Sequence, residues 1–316
     1  MERKVNIKKL IILIFILLIT ITIIILGILK IRSIRIYHGT YEYKLLQKGY
    51  TKKEITLLEK HYTEDELYRL AIKEKDETRL KLIQNKFYKE KNYNRYVNYI
   101  NTNKSSVDEA IKMVNLNRDF AFYEKTSLAN QDKNNLILVN KYFKLEKNYI
   151  PTDLVTIPSK YSWGTGKQIK KEVYNAFLEM WNAAKAEQNI YLMINLGYRS
   201  YLEQETLYNK YTNTYGKAEA DKLTARPGHS EHQSGLALDI FELNNSNYNT
   251  FKNTLACTWL KENAYKYGFI LRYSEDNKNI TGFDAEDWHY RYVGKQVAKI
   301  IYENNITLEE YYYNNY

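Results

Sequence analysis

The sequence predicts an α+β fold: a small antiparallel sheet flanked by helices, preceded by a transmembrane helix and a short helical module. Three observations lead there. Residues 10–29 form one uncharged apolar run. Residues 36–135 read as short polar helices with recognisable caps. From residue 136 onward helices and strands mix without the βαβ regularity that a doubly wound sheet requires.

The apolar run is interrupted only by Thr20, Thr22 and Gly27. Twenty helical residues span about 30 Å, the thickness of a bilayer's hydrocarbon core. The run ends in Leu29, Lys30, Ile31 and Arg32, with no A-x-A-like cleavage site. We therefore expect an uncleaved signal anchor at 10–29, with a cleaved signal as the alternative. Four basic residues precede it and three follow closely, a small bias that puts residues 1–9 in the cytoplasm as a basic tail. These flanks hold much of the net charge of +10, and the remaining residues carry only +4. The basic balance thus says little about nucleic acid, and no RNA-binding signature appears. The single Cys257 excludes an internal disulfide and a thiolate zinc site; it belongs to an ordinary packed helix.

In the helical module at 36–135, Thr51 with Glu54, Thr63 with Glu66 and Ser106 with Glu109 fit capping boxes. Apolar residues follow at helical spacing, among them Ile55, Leu58, Leu67, Leu70 and Ile72. His38 and His61 read as surface or packing residues, and nothing names a partner for this module.

The second unit runs over 136–303, followed by a tail at 304–316 in which Tyr311, Tyr312 and Tyr313 are expected to be solvated or lightly packed. Ile169, Val173, Phe177, Met180 and Ala184 form one face of a helix starting at Lys167. Residues 191–196 read as a strand. Ser200 with Glu203 opens a helix that Gly216 closes, and another helix ends at Gly268. Residues 287–293 alternate as a strand, and Gly294 precedes the last helix.

The chemistry concentrates in two segments, Arg226–Ile240 and Asp284–Tyr292 by position, that hold His229, His232 and His289. A catalytic zinc takes about three protein ligands and keeps one open position. His232, Asp239 and His289 can supply two imidazoles and one carboxylate. Asp239 sits in an apolar run, where a carboxylate is costly unless paired or metal-bound. Gly235 lets the backbone bend between the two ligands. Glu286, three residues before His289, can act as general base. His229 stands beside these residues but off their pattern.

The flanks resemble a known family. Ser230-x-His232-x-x-Gly235-x-Ala237-x-Asp239 matches the signature of the LAS metallopeptidases and is most similar to the VanY-like D-alanyl-D-alanine carboxypeptidases. Glu286-x-Trp288-His289 looks like their second motif, and Gly197-Tyr198-Arg199-Ser200 with Gln204 resembles an upstream one. The resemblance implies one zinc ion on His232, Asp239 and His289, with Glu286 as base. It implies that Arg199 stabilises the tetrahedral intermediate and that Ser230 and Gln204 hold the substrate, with Tyr198 and Trp288 as further pocket residues. The implied substrate is the D-alanine end of a peptidoglycan stem peptide, outside a bacterial membrane. An LD-carboxypeptidase, a dipeptidase or endopeptidase of the same fold, and an inactive wall-binding protein are the alternatives, and a His2Asp set also accepts other divalent ions. One departure is Asp287, where the family often has Pro; we expect its carboxylate to face solvent.

Overall fold

The computed structural model describes residues 7–315, so most of the basic tail at 1–9 lies outside the described residues. The chain divides into two compact units, Met1–Tyr93 and Asn94–Tyr316.

In the first unit, helix Ile7–Gly39 is long and apolar enough to cross a membrane, and its apolar side chains are exposed. Short helices follow at Tyr41–Gln47, Lys52–Glu59, Glu64–Ala71 and Glu77–Leu82. Thr51–Glu54 and Thr63–Glu66 both form reciprocal capping boxes. Each box occupies amides that a free helix end leaves without partners. Leu45, Ile55, Leu58, Leu67 and Leu80 close over one another as a small core. Ile72 is the exception to the expected face: it ends its helix and points outward, 73% exposed.

The second unit begins at Asn94, ahead of the expected boundary at 136. Helix Val107–Asn115 packs against the C-terminal helix Leu308–Asn315, where Lys112 pairs with Glu310 at 2.8 Å. Ser106 caps the former helix through the Glu109 amide alone. Short strands β1 (Ser127–Leu128) and β2 (Phe143–Lys144) pair in parallel, and β3 (Leu154–Thr156) and β4 (Gln168–Lys170) pair antiparallel. The main sheet holds β5 (Leu192–Leu196), β6 (Ala237–Glu242), β7 (Phe269–Leu271) and β8 (His289–Tyr292) in the order β5-β6-β8-β7, antiparallel throughout.

Helix Lys171–Gln188 covers this sheet and buries Val173, Phe177, Met180, Trp181 and Ala184. Burying a large apolar side chain contributes roughly 1.5–3 kcal/mol, so this face anchors the unit. The helix starts later than the spacing predicts, because Gln168–Lys170 is a strand. Ile169 is buried under either reading. Tertiary hydrogen bonds decide: the Lys170 amide donates to Gly235 O at 3.2 Å, and Gln168 O accepts from the Tyr198 amide at 2.6 Å. Both partners belong to the loops that carry the site, so extended backbone here ties those loops to the core.

Candidate metal centre

Asp239 lies mid-strand in β6, and the register sets it directly opposite His289 on β8. Directly opposed residues on neighbouring strands share a face, which brings their side chains together. His232 arrives from outside the sheet, on the short 3-10 turn Glu231–Ser234. Gly235 ends that turn at φ 68°, and a Cβ there would meet the Lys170, Leu154 and Pro151 side chains at 3.0–3.2 Å. Gly197 is equally constrained: a Cβ would lie 2.3 Å from Gln168 O. This close approach sets the Gly197 carbonyl where His232 Nδ1 reaches it, at 2.8 Å.

The three side chains expected as ligands converge, with one donor atom from each lying within 4.8 Å of the others. His232 Nε2 is 3.4 Å and His289 Nδ1 is 3.2 Å from Asp239 Oδ1. The two rings meet edge to face at 4.9 Å. Asp239 Oδ1 is buried without a hydrogen-bond partner. A buried, unsatisfied carboxylate oxygen faced by two imidazole nitrogens is costly on its own, and it suits a cation. The residues therefore fit zinc: the donor set is right, and each imidazole has its far nitrogen engaged. His232 Nδ1 meets a carbonyl, and His289 Nε2 lies 3.3 Å from Glu231 Oε2. Partners of this kind fix the tautomer and orientation of ligating histidines.

The electrostatics separate the groups. Burial pushes the Glu286 carboxyl up to about 7, with the Asp239 charge adding and the His289 and Arg199 charges opposing. Glu286 Oε2 lies 3.6 Å from His289 Nδ1. Burial holds His232 below its usual range, which keeps a lone pair available. For His289 burial works the same way, but the nearby Asp239 carboxylate, the hydrogen bond to Glu231 and the Glu286 charge outweigh it and raise the ring to about 9. A cation bound there must displace that proton.

The other expected residues take different positions. Arg199 is lowered by burial, while the Asp239 and Glu286 charges act on it from the site. Its Nη2 donates to Ser230 Oγ at 3.4 Å, and its Nε has no partner. Ser230 is buried beside it. Gln204 is wholly buried, with Nε2 donating to Ala225 O and Thr224 Oγ1 and with Oε1 unpartnered. Tyr198 is half-buried. Trp288 stacks over Phe241 at 6.2 Å and meets Tyr248 edge-on at 4.7 Å, forming an aromatic wall on the strand that carries Asp239.

One expectation needs correcting: Asp287 does not stand alone in solvent but pairs with Lys261 at 2.6 Å, its side chain 21% exposed. In the tail, Tyr311, Tyr312 and Tyr313 are half-buried, while Glu309 ahead of them is buried and bonded to Arg272 at 2.6 Å. His229 stands apart, with Nδ1 on Asn140 O at 2.7 Å and its ring edge-on to Tyr123.

Sequence reasoning did not single out Glu231, Arg272 or Tyr248. Glu231 fills an unspecified position between Ser230 and His232, and its side chain is fully buried against Arg272 and Arg291. Its sequence signal is weak, one charge among the polar residues Ser230, His232, Gln233 and Ser234. Tyr248 takes a 2.6 Å hydrogen bond from Asn195, at the irregularity in β5 beside Asp239.

Residues 166–295 match the family described as VanY: D-alanyl-D-alanine carboxypeptidase. The chain is 42% identical to YodJ of Bacillus subtilis (strain 168) over 189 residues, which cover 57% of this chain and 67% of that one. Among solved structures, the LD-carboxypeptidase LdcB is similar with a TM-score of 0.56 and 41% identity, over 59% of this chain and 89% of that one. A glutamate-to-alanine mutant of the vancomycin-resistance D,D-pentapeptidase VanY, in complex with Zn(II), is similar with a TM-score of 0.50 and 34% identity, over 56% and 98%.

Proposed function

The chain belongs to the VanY family of D-alanyl-D-alanine carboxypeptidases, a family of peptide hydrolases, and we propose that it removes the terminal D-alanine from peptidoglycan stem peptides. The observation that carries this reading is one cluster: His232 Nε2, Asp239 Oδ1 and His289 Nδ1 converge, with the Glu286 carboxylate 3.6 Å from His289. His232, Asp239 and His289 would hold a single zinc ion, and the Zn(II) complex of the VanY structure supports that choice of metal. Zinc so held would polarise the scissile carbonyl and lower the pKa of a water towards about 7.

The chain's own residues do the rest. Glu286, raised to about 7, takes a proton from the attacking water and returns it to the leaving amine of D-alanine. Arg199 turns its unpartnered Nε–H to the oxygen that gains charge as the carbonyl becomes tetrahedral. Ser230, held by Arg199 Nη2, presents its hydroxyl to the substrate carboxylate or peptide group. Gln204 Oε1 and the Tyr198 and Trp288 rings complete the pocket. The helix over 10–29 serves as a signal anchor that keeps the peptidase unit, expected over 136–303, on the outer face of the membrane beside its wall substrate. Of residues 36–135, expected as a helical stalk or module, those up to 93 fold with the anchor helix and those from 94 fold with the peptidase unit.

A second reading has a specific observation behind it: the similarity to LdcB, an LD-carboxypeptidase. The two differ in the residue that precedes the scissile bond. Zinc-loaded full-length chain in detergent, incubated with a stem pentapeptide ending in D-Ala-D-Ala and with the tetrapeptide, separates them by mass spectrometry. We expect loss of one alanine from the pentapeptide and none with Glu286→Ala. Cleavage of the tetrapeptide alone would assign the LD activity; cleavage of neither would remove the carboxypeptidase reading.

A further inference from the structure

We propose that Glu231 is the positioning residue that fixes His289 as a metal ligand, and that Glu309 and Asn140, both outside the family-matched segment, hold Glu231 in place through Arg272. The inference rests on reading His232, Asp239 and His289 as the zinc site.

Glu231 divides its two oxygens between two tasks. Oε2 faces His289 Nε2 at 3.3 Å. Oε1 accepts from Arg272 Nε and Arg291 Nη1, each at 2.8 Å. Arg272 spends the rest of its fork on Glu309, with Nη1 on Oε2 at 2.9 Å and Nη2 on Oε1 at 2.6 Å. Glu309 Oε1 also accepts from Asn140 Nδ2 at 3.1 Å. Arg291 Nη2 closes the far side by donating to Asn135 O and Ile137 O. The side chains of Glu231, Arg272 and Arg291 are fully excluded from solvent, and Glu309's is 4% exposed.

Stability alone does not account for this network. Two arginines and two glutamates balance in charge, but apolar residues of like volume commonly stabilise an interior as well or better. What charge provides and apolar packing does not is direction. With Glu231 Oε1 held by two guanidinium groups, Oε2 has one orientation left, and it accepts the Nε2–H of His289. That fixes the imidazole tautomer and aims the Nδ1 lone pair at Asp239, where the metal would sit. Asp239 and Glu286 alone could not do so, because both face His289 from the Nδ1 side. The strut reaches from Asn140, ahead of the family match, to Glu309, beyond it.

The test uses the metal-free full-length chain in detergent, with zinc affinity measured by chelator competition and cobalt(II) substitution read by its visible spectrum. Glu231→Gln, folded by circular dichroism, is expected to bind zinc roughly 10- to 100-fold more weakly, the usual effect of losing an outer partner of a ligating histidine. Its cobalt spectrum shifts, and Glu309→Gln weakens zinc in the same direction by less. A folded Glu231→Gln with wild-type zinc affinity and an unchanged cobalt spectrum overturns the proposal. If Glu231→Gln does not fold, Glu309→Gln decides: unchanged affinity overturns the strut, and weakened affinity supports it. Zinc held as tightly by His232→Ala as by the wild type would remove the metal centre itself, and the role of Glu231 with it.

Discussion

Two buried charged clusters lie back to back in this molecule and treat their polar atoms in opposite ways. In the cluster of Glu231, Arg272, Arg291 and Glu309, every charge is answered by another at 2.6–2.9 Å or by a backbone carbonyl. In the cluster of His232, Asp239, His289, Glu286 and Arg199, Asp239 Oδ1 and Arg199 Nε stay buried without a hydrogen bond, Asp239 Oδ1 facing only imidazole nitrogens at 3.2 and 3.4 Å. His289 belongs to both, with Nε2 on the satisfied side and Nδ1 on the unsatisfied one. Buried polar atoms are ordinarily hydrogen-bonded, so orphans gathered at one spot mark where a ligand completes the structure. The difference teaches that burial and charge do not identify a site by themselves; leftover bonding capacity does.

Substitutions in the two clusters should therefore fail in different assays. The largest effect falls on the reaction: Glu286→Ala should lower carboxypeptidase turnover about 10²- to 10⁴-fold, the range for a general base, with the melting temperature nearly unchanged. Steady-state kinetics beside a thermal melt would check it, and a large loss of melting temperature would place Glu286 in the structural cluster instead. Arg272→Met should do the reverse. Removing one partner of a buried ion network costs about 3–5 kcal/mol. For a unit of this size that lowers the melting temperature by roughly 10 °C. Arg199→Lys should retain the melting temperature while kcat falls about 10²- to 10³-fold, because a fixed guanidinium facing the developing charge is lost. Equal melting losses for Arg272→Met and Arg199→Lys would erase the contrast between the clusters.

The smallest effect concerns His229, which lies in neither cluster. Burial depresses its ring to about 4, despite its hydrogen bond to Asn140 O. The unfolded ring titrates near 6.5, so above that pH the group contributes nothing to pH dependence. As pH falls from 6.5 towards 4 the unfolded chain takes up the proton first and the fold loses stability. Denaturant midpoints of the metal-free chain should fall less steeply over that window in His229→Gln than in the wild type. The difference should reach about 1–3 kcal/mol at the acid end. Parallel pH profiles would show that His229 is not protonated on unfolding.

Much of the site was legible in the sequence because its signals are local. The spacing of Ser230, His232, Gly235, Ala237 and Asp239 sits on one turn and one strand, and Asp239 stood out as a carboxylate in an apolar run. The capping boxes at Thr51, Thr63 and Ser200 follow from residues three apart, and all three form. The unread parts depend on distant partners. Glu231 meets Arg272 and Arg291 from 41 and 60 residues away, a separation that leaves no periodic trace. Asp287 read as solvated but pairs with Lys261, which lies 26 residues earlier, and Glu309 read as tail until its helix docked on Arg272. Ile169 suits either a helix face or a strand, and it is the pairing with β3 together with the Gly235 and Tyr198 hydrogen bonds that selects the strand. The second unit starts at Asn94, and within it Lys112 meets Glu310 from the far end of the chain, another pairing with no local trace.

The central claim is that the unsatisfied cluster is a one-zinc carboxypeptidase centre. Titrating zinc into the metal-free full-length chain, while following release of D-alanine from the stem pentapeptide, tests it most directly. The account predicts that activity rises to saturation at one equivalent of zinc and that His289→Ala shows no such rise. Full release of D-alanine by the chelated protein, or a rise that is the same in His289→Ala, would contradict it.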